Sequence, residues 1–269
     1  MSAEARIDRY TSRERNVLVA RGTFTDLFAA YREHSQRWVG EPDGLIEVMM
    51  RQALAAAGLH LTCRPRDEQT AWTLNLPEPP LNLFFTADAG TGRVVGRFFE
   101  RHVETTADSR LFVQIDRGRG EPHLSVITVS GFDVLGILEQ YYAQSEQATA
   151  RFFEQDDDEF AMVMALPGVD DEWLRALTRE TAREFIAGPQ TNHIEERMVA
   201  FGCSCNVERI LEIVAGIFRE KEAELFGDDA QVEVQCPRCG RAYDLTREGF
   251  RAELGDTSDP SEDAPESER

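Results

Sequence analysis

Long apolar runs are missing from this 269-residue chain. No stretch approaches the roughly 18 apolar residues that a membrane-crossing helix requires, so no membrane partner is expected. The opening Met1-Ser-Ala-Glu-Ala lacks the apolar segment of an export signal. A reducing, cytoplasmic location is therefore expected. Positive charge is scarce: 29 Lys and Arg stand against 49 Asp and Glu, a net of −20. Phosphate binding rests on clustered Lys and Arg, so no nucleic-acid partner is expected. Histidine is sparse and scattered, at positions 34, 60, 102, 123 and 193, with no His-Glu-x-x-His spacing. Each reads as a surface or internally bonded residue. A Gly-x-Ser-x-Gly elbow and a phosphate-cradling loop are also missing, so neither enzymatic catalysis nor ATP use is expected.

Four of the five cysteines are present as two close pairs, Cys203-Ser-Cys205 and Cys236-Pro-Arg-Cys239. Each pair can supply one edge of a tetrahedral Zn²⁺ site. In the second pair a tight turn aims both sulfurs inward, and Gly240 tolerates the positive φ that follows. In the first pair, residues i and i+2 of an extended segment point to the same side. Between the pairs, Val207, Ile210, Leu211, Val214, Ile217 and Phe218 recur at helical spacing, with Asn206 placed to cap the start. Gln231 to Gln235 then reads as a strand. Residues 201–250 thus form a small expected domain whose modest core is completed by metal. Structural zinc is the plain reading of such a site, and two disulfides are the alternative, which a reducing location disfavours. Cys63 stands alone and reads as a small buried hydrophobe.

The N-terminal part reads as α+β. Helical patterns cover 25–34 and 44–57, the latter with Asp43 as its cap. Strands are expected at 72–76, 81–86, 93–100, 111–115 and 124–129, forming a meandering antiparallel sheet covered by a helix over 133–144. The acidic run 154–159 lacks the glycine and terminal glutamate of a calcium loop and reads as a solvated face. One linker helix is expected at 171–186, with Trp173, Leu174, Leu177, Phe185 and Ile186 as apolar positions and Gly188-Pro189 as its stop. A helix of this length is marginal alone, so it should need a docking surface. The final stretch, 251–269, is rich in Asp, Glu, Ser and Pro and reads as a disordered, solubilising tail.

Several of these residues together resemble one family. Cys203-x-Cys205 with the following Asn-Val-Glu-Arg209, then Val234-Gln-Cys236-x-x-Cys239-Gly240 and Tyr243, with thirty residues between Cys205 and Cys236, resemble the zinc end of the heat shock protein 33 family. Leu138-Glu-Gln-Tyr-Tyr-Ala-Gln-Ser-Glu-Gln147 looks like that family's helix ending in Tyr-x-x-Ser-Glu-Gln. A weaker likeness runs through His34-Ser35 and Met49 to Gly58. The resemblance implies a stress-response, redox-regulated holdase chaperone that binds unfolded clients without ATP. It implies zinc on Cys203, Cys205, Cys236 and Cys239, and Cys203–Cys205 and Cys236–Cys239 disulfides with zinc release on oxidation. It allows a homodimer in the oxidised state.

The domain plan that follows is a chaperone core at 1–150, a linker at 151–200, a redox-switch domain at 201–250 and the tail. The chain departs from the family in Leu76-Pro-Glu-Pro-Pro-Leu81, where a Gly-rich turn is usual. It also departs in a shorter stretch between Gln147 and Cys203, with the helix before the first cysteine pair reduced to His193 to Ala200. If the linker helix docks on the zinc module, peroxide alone should free it without heat. Two other classes stay open: a constitutive binding module with inert zinc, and a thiol oxidoreductase using the 236–239 pair.

Overall fold

The computed structural model describes residues 4–101, 103 and 107–255. His102 and the tail residues 256–269 lie outside them. The chain divides into two compact units, Met1–Cys203 and Ser204–Arg269.

The first unit is built on ten strands: β1 (Glu4–Ser12), β2 (Val17–Thr23), β3 (Gln69–Pro77), β4 (Pro80–Asp88), β5 (Arg93–Phe99), β6 (Arg110–Asp116), β7 (His123–Thr128), β8 (Ala150–Glu154), β9 (Glu159–Ala165) and β10 (Asn192–Phe201). They form one sheet in the order β7-β6-β3-β4-β5-β10-β1-β2-β9-β8. All five strands expected from the sequence are present, as β3 to β7. The Pro-rich stretch closes the β3–β4 hairpin in place of glycine: Pro77 pairs with Pro80, and the Glu78–Pro79 bond between them is cis.

Helix α1 spans Thr25–Trp38 and α2 spans Gly44–Cys63. The Asp43 side chain accepts from Ile46 N at 2.8 Å and caps α2 as expected. Fourteen residues of α2 are buried, from Ile46 to Cys63, because the helix runs through the core with apolar residues on every side. Small residues permit this. A Cβ at Gly58 would meet Phe24 Cε1 at 2.9 Å, and one at Gly96 would meet Met50 Cε at 2.8 Å and the Phe84 carbonyl at 3.0 Å. Helix α3 (Val134–Tyr141) is capped by Asp133 and continues as one π-helical turn, Tyr142–Glu146.

The expected linker is a correction. Residues 151–200 are not a separate segment: they supply most of β8, all of β9 and most of β10, which lies near the middle of the sheet between β5 and β1. The segment 193–200, read as a remnant helix, is strand. The 171–186 helix is two helices, α4 (Asp171–Ala176) and α5 (Arg179–Ala187), because Leu177 is extended and Thr178 starts a new helix with a reciprocal cap to Thr181. Leu174, Leu177, Ala182 and Ile186 pack on Val17, Val19, Phe153, Ala161 and Val163. The surface that supports α4 and α5 is thus the face of β2, β9 and β8.

The 154–159 loop is a clamp rather than a bare solvated face. Asp156 pairs with Arg179 and Arg183, Asp158 with Arg51, and Glu159 with Arg21.

The second unit contains α6 (Val207–Phe218), α7 (Glu222–Phe226), the β11 (Gln231–Gln235) and β12 (Ala242–Thr246) hairpin, and α8 (Arg247–Glu253). Asn206 caps α6 through Arg209 N at 2.9 Å. Ile210, Val214, Phe226, Leu245 and Phe250 are buried, and the Phe226 and Phe250 rings meet edge to face at 5.5 Å. This is a small core for an independent unit. No helix among the described residues is long and apolar enough to cross a membrane.

Candidate metal centre

The turn after β11 creates the first half of the centre. Gly240 N donates to the Cys236 carbonyl at 2.9 Å, Cys236 N donates to the Arg241 carbonyl at 2.9 Å, and Gly240 takes φ +80°. That geometry turns both sulfurs of the 236–239 pair to one side, and both cysteines are buried. The segment between β10 and α6 brings Cys203 and Cys205 to the same place, partly exposed. Ligand atoms of all four cysteines lie within 4.8 Å of one another, and Cys205 Sγ is 3.5 Å from Cys239 Sγ. A zinc–sulfur bond of about 2.3 Å places tetrahedral ligands about 3.8 Å apart, so the cluster has the dimensions of such a site. It can hold a metal ion and is compatible with zinc.

Tyr243 completes the surroundings, projecting from β12. Its hydroxyl lies 3.0 Å from the Cys205 carbonyl and 3.1 Å from Cys205 Sγ. Burial, with the Cys205 sulfur beside it, pushes the phenol up to about 12. Tyr243 therefore stays protonated and donates toward the sulfur, as groups behind metal ligands commonly do.

Cys63 does not join the cluster. It is buried at the end of α2, and burial pushes its thiol up to about 12, which keeps it the unreactive thiol.

The Leu138 to Gln147 motif has a structural explanation that sequence reasoning missed. Tyr142 shares a 2.6 Å hydrogen bond with His60 Nδ1, and His60 Nε2 is 3.2 Å from Thr70 Oγ1. Tyr141 donates to Glu146 at 2.8 Å, and Arg64 links Glu146 at 3.2 Å to Glu68 at 2.5 Å. His60, Glu68, Thr70 and Tyr142 are all buried. Burial depresses His60 and so keeps the ring neutral. Burial also opposes ionisation of Glu68, but the His60 ring at 3.8 Å and the Arg64 guanidinium outweigh it and hold the carboxyl down to about 2. The available signal was the pairing of His60 with a Tyr-Tyr-x-x-Ser-Glu segment across the fold, which spacing along the chain does not display.

An α+β sheet unit followed by a four-thiol, metal-competent module defines the class of protein. The family model described as Hsp33 protein matches residues 152–246. A 33 kDa chaperonin of Nitrosococcus oceani is 25% identical over 165 residues, covering 54% of this chain and 57% of the relative. One from Geobacter sulfurreducens is 28% identical over 166 residues, covering 51% and 55%. The chain thus spans little more than half the length of these curated relatives. The crystal structure of the 33 kDa chaperonin (heat shock protein 33 homolog) from Thermotoga maritima aligns with a TM-score of 0.70 at 16% identity, covering 93% of this chain and 97% of that one. At that identity the likeness concerns the fold. The chain is thus similar to the heat shock protein 33 family in sequence over residues 152–246 and in fold over most of its length.

Proposed function

We propose that this protein is a redox-regulated, ATP-independent holdase chaperone of the cytoplasm. The observation that carries the reading is the convergence of four cysteine sulfurs within 4.8 Å in a chain similar to 33 kDa chaperonins. Cys203, Cys205, Cys236 and Cys239 hold one Zn²⁺ in the reduced protein. Bound zinc keeps the four sulfurs as thiolates, the form that peroxide and hypochlorous acid attack.

Oxidation joins Cys203 to Cys205 and Cys236 to Cys239. Forming each disulfide passes two electrons from a pair of thiolates to one molecule of peroxide, whose O–O bond breaks to leave two waters after uptake of two protons, and the sulfurs no longer act as thiolate ligands. Structural zinc contributes on the order of 10–16 kcal/mol to folding in small modules. Few large side chains are buried in the second unit, so it opens when the metal leaves. The opened chain displays apolar surface to unfolded clients, and a homodimer belongs to this state. Thiol reductants restore the closed form.

The constitutive alternative has one observation in its favour. Leu124 and Val126 on edge strand β7 are 70% and 55% exposed, beside the part-exposed Phe112 of β6, so an apolar strip is already present without oxidation. Light scattering by a thermally unfolding client separates the two readings. Suppression only after peroxide treatment, reversed by dithiothreitol, supports the redox chaperone. Equal suppression by reduced and oxidised protein supports the constitutive module.

A further inference from the structure

A cleft of about 600 Å³ opens in the first unit beside the end of the π-helical turn and the start of α4, and Gln147, Thr149, Pro167, Asp171 and Arg175 help to line it. Thr149 is 9% exposed and sits at the centre of a charged arrangement. Its hydroxyl donates to Asp171 Oδ1 at 2.7 Å and accepts from Arg175 Nη2 at 3.2 Å. Asp171 and Arg175 stand at i and i+4 on α4, the spacing at which opposite charges ordinarily pair. Among the described residues they form no ion pair with each other or with any third group. The Thr149 hydroxyl holds them apart, at a separation no greater than its two hydrogen bonds laid end to end. Asp171 keeps its second oxygen free, and Arg175 keeps its Nε and Nη1 donors.

The walls are fixed from behind. Ala165 N donates to the Thr149 carbonyl and Leu166 N to the Asn16 carbonyl, both at 2.8 Å. Asn16 Nδ2 holds the Gly168 carbonyl at 3.1 Å, and Arg151 donates to the Arg175 carbonyl. The separated charges are therefore presented by a preorganised frame, which lowers the ordering cost of binding.

A carboxylate and an arginine held just out of reach of each other complement a ligand with the inverse pair on neighbouring atoms. An α-carboxylate and the nitrogen on its own α-carbon are such a pair. We propose that this cleft binds that group, with the carboxylate on Arg175 and the N–H on Asp171. Thr149 is the positioning residue, and the small side chains of Ala143, Ala148 and Ala165 leave room for the ligand's side chain. The group occurs in a free amino acid, where the nitrogen is an ammonium, and in the C-terminal residue of a peptide, where it is a neutral amide N–H.

The test is a titration of the full chain with alanine, N-acetylalanine and alaninamide, followed by chemical-shift changes in the amides of 147–149 and 165–175. Saturation at about millimolar concentration is expected for a ligand of this size. Alaninamide, which lacks the carboxylate, should bind at least about tenfold more weakly, a loss of one charge-assisted contact. Tighter binding of alanine than of N-acetylalanine identifies the free amino acid as the source, and the reverse order identifies a peptide C-terminus. Arg175→Ala should abolish saturation. Thr149→Val keeps both charges but lets them close on each other, and should weaken binding by about tenfold with an unchanged melting temperature. The absence of carboxylate-dependent shifts in the unmodified protein, or binding unaltered in both variants, overturns the proposal.

Discussion

The Arg183 guanidinium lies 2.8 Å from the Asp156 carboxylate and draws α5 against the loop after β8. Arg179 pairs with the same carboxylate, and Arg183 Nε reaches Gln155 Oε1 at 3.0 Å. Exposed ion pairs of this kind are individually weak. Burial of Leu174, Leu177, Ala182 and Ile186 against the sheet supplies most of the hold, and the clamp orients it. The support for α4 and α5 is therefore built into the first unit. After zinc is chelated at ambient temperature, trypsin cleavage after Arg175, Arg179 and Arg183 is expected to stay slow until the first unit is heated toward melting. Asp156→Ala should accelerate cleavage at Arg179 and Arg183 by about threefold, the scale of an exposed pair. Rapid cleavage at all three sites as soon as zinc leaves would restore the one-step opening that the sequence suggested.

The buried Glu68 and His60 pair gives the first unit an acid limit. A depressed carboxyl contributes stability above its unfolded pKa, and that contribution is lost as pH falls through its folded value. For Glu68, held at about 2 from an ordinary 4.5, the loss falls between a pH of about 5 and 2. It amounts to something on the order of 3 kcal/mol. His60 acts in the same direction from higher pH: below about 6.5 the unfolded ring takes a proton that the buried ring resists. Urea midpoints should therefore decline from pH 7 to pH 3, and Glu68→Gln should lower the midpoint at pH 7 while flattening its acid slope. An identical slope in the variant would remove Glu68 from the cause.

Legibility followed how locally each feature is encoded. Asp43, Asn206 and the two cysteine pairs act on neighbours a few residues away, and the caps and the cluster appear where the spacing put them. β1 with β2 and β8 with β9 are local hairpins, Ser12 opposite Val17 and Glu154 opposite Phe160, and what joins the two hairpins is a distant pairing that spacing along the chain does not display: Val17 lies opposite Ala165. β10 was hidden by chemistry. Arg197 occupies a buried position because its guanidinium donates to the Leu61 carbonyl at 2.9 Å and to the Ala89 carbonyl. A charged residue at a core position breaks the strand alternation that a reader looks for. The cleft around Thr149 was equally invisible, since Thr149, Asp171 and Arg175 are marked by no motif.

Metal content should depend on the two pairs and not on the fifth cysteine. Reduced protein is expected to contain one zinc per chain, and Cys63→Ser should retain it because Cys63 stands outside the cluster. The double variant Cys203→Ser/Cys205→Ser should lose most of it. Full zinc in that double variant, by elemental analysis of the purified chain, would contradict four-thiolate ligation.

Tyr243 should govern how readily the centre is attacked. Its hydroxyl donates toward Cys205 Sγ, which lowers the nucleophilicity of a thiolate there and orients it. Tyr243→Phe is expected to weaken zinc affinity by about tenfold or more and to speed peroxide-driven zinc release, both read by competition with a chromogenic chelator. Unchanged affinity and rate would reduce the tyrosine to a packing role.

The central claim is that loss of metal and gain of client binding are one event. Peroxide titrated into the reduced, zinc-loaded protein, with zinc release and suppression of client aggregation measured on the same samples, tests it most directly. Suppression should rise in proportion to released zinc, reach its maximum when one zinc per chain has been lost, and reverse together with zinc uptake when dithiothreitol and Zn²⁺ are returned. Full suppression before any zinc is released, or complete zinc release with no suppression, would contradict the account.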